Sequence, residues 1–152
     1  MENRIKVSDE ITTAGQPSEE EIKKLPQEGF KSVVNLCSSG EKDQPLSPEK
    51  EGNLVRELRM KYLNIPISTQ EGIESEQVDR FRREIEFLPA PVFVHCSKGR
   101  RAGAFTMMYM AIKEGMTGEE AIQKAMSMGF ACDVPQLKDF FKKYIDQHKM
   151  VG

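Results

Sequence analysis

The stretch VHCSKGRRAG, residues 94–103, brings an apolar run to a single cysteine and then turns through a basic segment containing glycine. Cys96 would sit where a buried strand gives way to a helix. Backbone N–H groups converge at such a turn and the helix dipole is positive there, so an anion is favoured. The same field, with Lys98, Arg100 and Arg101 close by, favours the thiolate, the nucleophilic form of a cysteine. Gly99 permits a positive φ in so short a loop and lets the N–H groups curl inward as an anion-binding nest. Arg101, five residues after the cysteine, can turn back toward the pocket. Its planar fork can grip two oxygens of a tetrahedral anion, which the point charge of a lysine does not reproduce.

The elements that must position these residues follow from patterning. Ser18 with Glu21 is a capping box opening a helix that must stop near Pro26. GFKSVVNL reads as a buried strand. Pro48 after Ser47 suits the first turn of a second helix carrying Leu54, Val55 and Leu58 on one side. YLNIPI is the next strand. Val78, Phe81, Ile85 and Leu88 recur at helical spacing, with Ser75 as the expected cap. APVFVHC is short and continuously apolar, as in a central strand covered on both faces. A helix over AGAFTMMYMAIKEG closes at Gly115, Thr117 with Glu120 caps another, and Leu137, Phe140, Phe141, Tyr144 and Ile145 mark the last as lying on a core. Strands alternating with helices predict an α/β single domain with a central, mostly parallel sheet flanked by helices. In such sheets ligands sit beyond the carboxyl ends of strands, where Cys96 falls.

Composition bounds the rest. The 152 residues suffice for one domain, and the net charge of −2 with 30% charged residues offers no global basic field for nucleic acid or a membrane surface. Neither a bilayer-spanning apolar run nor the core of a secretory signal is evident, so a cytoplasmic protein is expected. Cys37, Cys96 and Cys132 are too few and too widely spaced for a disulfide framework or a zinc cluster. Cys37 could approach Cys96 as a resolving thiol or simply fill the core. His95 either tunes Cys96 or is a satisfied buried histidine. Met107, Met108 and Met110 read as core filling behind the loop.

HCSKGRRAG resembles the phosphate-binding loop of cysteine-dependent phosphatases with the dual-specificity, protein tyrosine phosphatase-like fold. With AGQPSEEEI, GFKSVVNL, GEKDQP and YLNIPI in the same order, the chain is similar to the bacterial family called DUF442, or beta-lactamase-hydrolase-like phosphatase-like domains, from about Ala14 to about Gly129. The resemblance implies a single phosphatase-like domain over 1–152 that needs no cofactor or metal. It makes Cys96 the nucleophile, Arg101 the phosphate-binding arginine, and Ser97, Lys98, Gly99, Arg100 and Arg101 the loop that holds the anion. The expected partners are a phosphorylated substrate of unspecified class and oxyanions such as phosphate, sulfate or vanadate.

Two departures keep alternatives open. The loop is one residue shorter between cysteine and arginine than in most such phosphatases, and the short spacing is that of rhodanese-like sulfurtransferases, in which Cys96 would carry a persulfide. The aspartate acid that dual-specificity phosphatases place after the strand corresponding to YLNIPI is also missing, since STQEG stands there. Asp43, from another loop, or Glu71 would have to protonate a leaving group. Without an acid, the pocket could serve a non-catalytic module that senses phosphate or another anion.

Overall fold

The computed structural model describes residues 3–68, 72–130 and 135–148. VFVH forms strand β5 (Val92–His95), every residue of it buried, in the middle of a five-stranded sheet of order β1-β2-β5-β3-β4. β2 (Ile11–Ala14) and β3 (Ser32–Asn35) flank it in parallel, with Ala14 and Asn35 both in register with His95. β4 (Lys61–Asn64) continues the parallel set beyond β3, and the two-residue β1 (Ile5–Lys6) pairs antiparallel with β2. The amino-terminal segment therefore supplies a strand beside the site. ITTA alone is too short to announce one by periodicity.

Alternation along β5 divides the core into two. Val92 and Val94 point into the larger cluster and Phe93 into the smaller. Helices α1 (Glu19–Lys24) and α2 (Pro48–Glu57) cover the smaller side, where Ile22, Leu25 and Val55 are fully buried and Phe30 meets Phe93 edge-on at 5.4 Å. The Ser18–Glu21 capping box forms and Pro48 stands in the first turn of α2 as expected, with Ser47 as that helix's cap. Helices α3 (Ser75–Ile85), α4 (Arg100–Lys113), α5 (Gly118–Ser127) and α6 (Pro135–His148) cover the other side. The cap of α3 is Glu74 rather than Ser75, because Ser75 already has helical backbone; the Glu74 N–H donates to Gln77 Oε1 at 2.8 Å.

α4 is the helix that positions the site, and it is buried almost all round. Phe105, Thr106, Met107, Met108 and Ala111 lie at its core-facing positions, and Gly115 with φ 74° follows its end. Each large apolar side chain buried there is worth roughly 1.5–3 kcal/mol. α6 packs across α4 through Phe141, Tyr144 and Ile145, while Leu137 and Phe140 in its first turns stay half-buried. These two therefore face a cavity over the loop instead of the core interior.

α6 is seated by α5. A Cβ built on Gly118 would stand 2.7 Å from the Lys142 backbone, and the Gly118 N–H donates to Asp146 Oδ1 at 2.7 Å. The obstructing atoms are main chain and cannot swing aside. Gly118→Ala is expected to destabilise the protein by about 1–3 kcal/mol in urea unfolding, and a loss near zero would mean that α6 is not held at this contact.

Candidate active site

The turn after β5 is held from three sides. The Cys96 N–H donates to Ala14 O at 3.3 Å, the Gln16 N–H to Ser97 O at 2.9 Å and Asn3 Nδ2 to Lys98 O at 2.8 Å. Gly99, with φ 90°, is the cap of α4, a left-handed conformation that costs glycine nothing. The Gly99 N–H then donates to Cys96 Sγ at 3.1 Å and the Ala102 N–H at 3.4 Å. Cys96 itself is 1% exposed, at the floor of an open cleft of about 1070 Å³. Ser97, Lys98, Arg100 and Arg101 also line this cleft, together with Glu41, Lys42 and the α6 residues Leu137 and Phe140. The structure thus places Cys96 and four of the five expected loop residues around one opening, while Gly99 lines a neighbouring cavity.

Arg101 is almost fully buried and its fork is already engaged. Nη1 donates to Ile67 O at 2.8 Å, Leu36 O at 3.3 Å and Glu41 Oε2 at 2.9 Å, and Nη2 donates to Glu41 Oε1 at 2.7 Å. Two oxygens are gripped, as the spacing predicts for an anion, but they belong to a carboxylate of this chain. Burial disfavours the guanidinium charge; the Glu41 hydrogen bond, with the Cys96 and Glu41 charges, outweighs it and holds Arg101 above its ordinary value. Burial likewise works against the Glu41 carboxylate, yet the bonds from Arg101 and the Ser38 N–H hold it below the usual carboxylate range. A guanidinium has five N–H groups, and its second edge, Nε with the other Nη2 hydrogen, has no acceptor among the described residues.

Asp43, the acid expected in this loop, is not at the cleft. Asp43 is exposed, has φ 60° and does not line the cleft, because the turn through Glu41 and Lys42 carries it outward. Glu41, two positions earlier, takes the inward place. Glu71, the other candidate acid, and Cys132 lie outside the described residues. Cys37 is buried, and burial first, the Glu41 charge second, push its thiol far above the ordinary range; Cys37 Sγ donates to Gln16 Oε1 at 3.7 Å. It is a protonated core thiol at neutral pH.

His95 Nε2 lies 2.7 Å from Glu51 Oε2, and both side chains are fully buried. Neither Glu41 nor Glu51 stands out in the sequence. Glu41 is one of several polar residues in GEKDQP, whereas Glu51 left a readable trace: Pro48, Glu51, Gly52 and Val55 are the buried stripe of α2 at i, i+3, i+4 and i+7. A carboxylate on such a stripe demands a partner. Among the described residues no group of three or more His, Cys, Asp or Glu side chains is arranged to hold a metal ion, and no helix is long and apolar enough to cross a membrane.

Known proteins share the family and the fold of this chain. Residues 2–146 match the family described as DSP-PTPase phosphatase fused to NAD+ kinase. A beta-lactamase hydrolase-like protein of Xylella fastidiosa is 24% identical over 127 residues, which is 84% of this chain and 28% of that protein, so the chain spans less than a third of the relative. The crystal structure of a DUF442 protein from Shewanella putrefaciens CN-32 superposes with a TM-score of 0.79 at 24% identity, covering 99% of this chain and 95% of that one. P. aeruginosa TpbA in complex with pTyr superposes with a TM-score of 0.72 at 16% identity, over 99% and 91% of the two chains. At these identities the likeness is one of fold: a protein tyrosine phosphatase-like α/β domain.

The Glu41–Arg101 pair makes a pH-dependent contribution whose sign is fixed. A carboxylate held low when folded stabilises the protein above its unfolded value, about 4.3, and that stability is lost as pH falls through the lower folded value. Glu41→Gln should therefore melt below wild type at neutral pH, and the gap should close only below about pH 4. A gap that is independent of pH would show that the ion pair contributes nothing.

Proposed function

The chain belongs to the DSP-PTPase phosphatase family, and from that premise we propose that it is a cysteine-dependent phosphomonoesterase, needing no metal, with residues 1–152 acting as a single phosphatase-like domain. The observation that carries the reading is the pair of main-chain N–H groups, from Gly99 and Ala102, directed at Cys96 Sγ at the floor of the cleft. They stabilise negative charge on sulfur without any side-chain acid or base.

In this reading Cys96 thiolate attacks phosphorus in line, the P–O bond to the leaving group breaks, and a phosphocysteine forms. Water then displaces the sulfur and releases phosphate. The open edge of Arg101 and the N–H groups from Ser97 to Arg101 hold the equatorial oxygens, so the loop and the guanidinium supply the positive charge. Glu41 serves to hold Arg101, and while so paired it is a poor proton donor. With Asp43 turned outward, the site is suited to leaving groups that depart without full protonation, such as phenols. TpbA, a relative in fold, binds pTyr, which supports an aryl phosphate as the first substrate to try. Free, buried Cys37 and Cys96 suit a reducing compartment, in keeping with the cytoplasm.

A persulfide-carrying sulfurtransferase is the second reading, favoured by the four residues between Cys96 and Arg101. One assay pair separates the two. The purified chain should hydrolyse an aryl phosphate slowly without added thiol, and Cys96→Ser should abolish this. Arg101→Lys should lose about a hundredfold or more, since a point charge cannot replace the fork, while Arg100→Lys and Asp43→Asn should stay within about threefold. Catalytic transfer of sulfur from thiosulfate to cyanide, with aryl phosphates untouched, would overturn the assignment. Inactivity in both assays, with Cys96 still shielded from alkylation by phosphate, would leave an anion sensor.

A further inference from the structure

We propose that Glu51 is a positioning residue for the nucleophile loop, tied at once to the residues on both sides of Cys96. The inference rests on the reading of Cys96 as an anion-pocket nucleophile. Glu51 Oε2 meets His95 Nε2 at 2.7 Å, and Glu51 Oε1 accepts from Gln16 Nε2 at 3.2 Å. His95 immediately precedes Cys96. Gln16 in turn donates its backbone N–H to Ser97 O at 2.9 Å, immediately after Cys96. One fully buried carboxylate on α2 thus fixes the exit from β5 and the first peptide of the loop, from the face of the sheet opposite α4.

The peptide geometry says what this fixing does. In a planar trans peptide the carbonyl and the following N–H point in opposite directions. Drawing Ser97 O toward Gln16 therefore turns the Lys98 N–H away from Gln16 and toward the inside of the loop. The next peptide shows the same device completed: Asn3 holds Lys98 O at 2.8 Å, and the following N–H, from Gly99, reaches Cys96 Sγ at 3.1 Å. Anion binding by main-chain donors requires that each carbonyl be held outward, and Glu51 with Gln16 holds the first of them. Gln16 is fixed for this purpose at both ends of its amide, donating also to Pro17 O at 3.0 Å and accepting from Cys37 Sγ at 3.7 Å.

His95 makes the arrangement directional. Its Nδ1 is buried and has no hydrogen-bond partner among the described residues. The ring nitrogen within reach of Glu51 is Nε2, so an N–H carried on that nitrogen points at Glu51 Oε2. The carboxylate is then an acceptor from both His95 and Gln16. A residue that merely filled α2 would need neither bond.

Protection of Cys96 against iodoacetamide by inorganic phosphate reads loop geometry without turnover, in the full chain. Glu51→Ala and Gln16→Ala should each raise the phosphate concentration for half-protection by about tenfold, whereas Glu51→Gln, which keeps an oxygen for the His95 N–H, should stay within about threefold of wild type. Tyr62→Phe is the control: it removes a comparable bond to α2, from Tyr62 OH to Pro48 O at 2.8 Å, and should lower the melting temperature while leaving protection unchanged. Native protection in folded Glu51→Ala, or Glu51→Gln no better than Glu51→Ala, overturns the proposal. If Glu51→Ala does not fold, Gln16→Ala decides, since Gln16 is half exposed and its native protection would overturn the role equally. Wild-type Cys96 alkylated with no protection at all would instead sink the anion-pocket reading, and the positioning role with it.

Discussion

Burying the first turn of α4 against the carboxyl end of β5 is the constraint on which the rest of the molecule depends. A helix start leaves its first N–H groups without internal acceptors. Ordinarily a serine or aspartate at the cap supplies an oxygen. Here the cap is Gly99, which has no side chain, and Cys96 sulfur receives the Gly99 and Ala102 N–H groups instead. A capping side chain would satisfy the helix and at the same time fill the nest. Leaving it out gives two N–H groups of the helix start to the Cys96 sulfur.

That solution brings a second demand. Arg101 in the same turn is buried, and an isolated buried charge is costly unless paired and hydrogen-bonded. Its partners come from three separate places: Leu36 O after β3, Ile67 O beyond β4, and Glu41 in the loop between β3 and α2. The guanidinium therefore ties the carboxyl ends of two further strands to the loop that carries Cys96. The parallel sheet matters because it puts all those ends on one side, where a single planar fork can reach them.

How much of this could be read beforehand depended on how local the signal was. The central strand VFVH, the Ser18 and Thr117 capping boxes and the basic turn are encoded within a few residues each, and they appear where the pattern puts them. β1 and β2 are too short to carry a period, so a strand in direct contact with β5 went unread. GEKDQP offers two acids and no local reason to choose between them; only the positive φ at Asp43 and the reach of Arg101 bring Glu41 inward. Leu137 and Phe140 carry the apolar spacing of a core-facing helix, yet the pattern cannot tell a core from the wall of a cleft, since both are lined by hydrophobic side chains.

The two carboxylates that escaped the sequence reading lie on opposite sides of the loop, and each is taken up by donor groups of its own. Glu41 lies at the mouth, and its charge is consumed by Arg101 through two bonds that leave the other edge of the guanidinium open. Glu51 lies behind the sheet, where its oxygens are taken by His95 and Gln16 and it can act on the cleft only through them. Each negative charge is therefore spent on a donor group rather than directed at the pocket. What remains is one edge of the Arg101 fork without an acceptor among the described residues, and a Cys96 sulfur that takes two main-chain N–H groups.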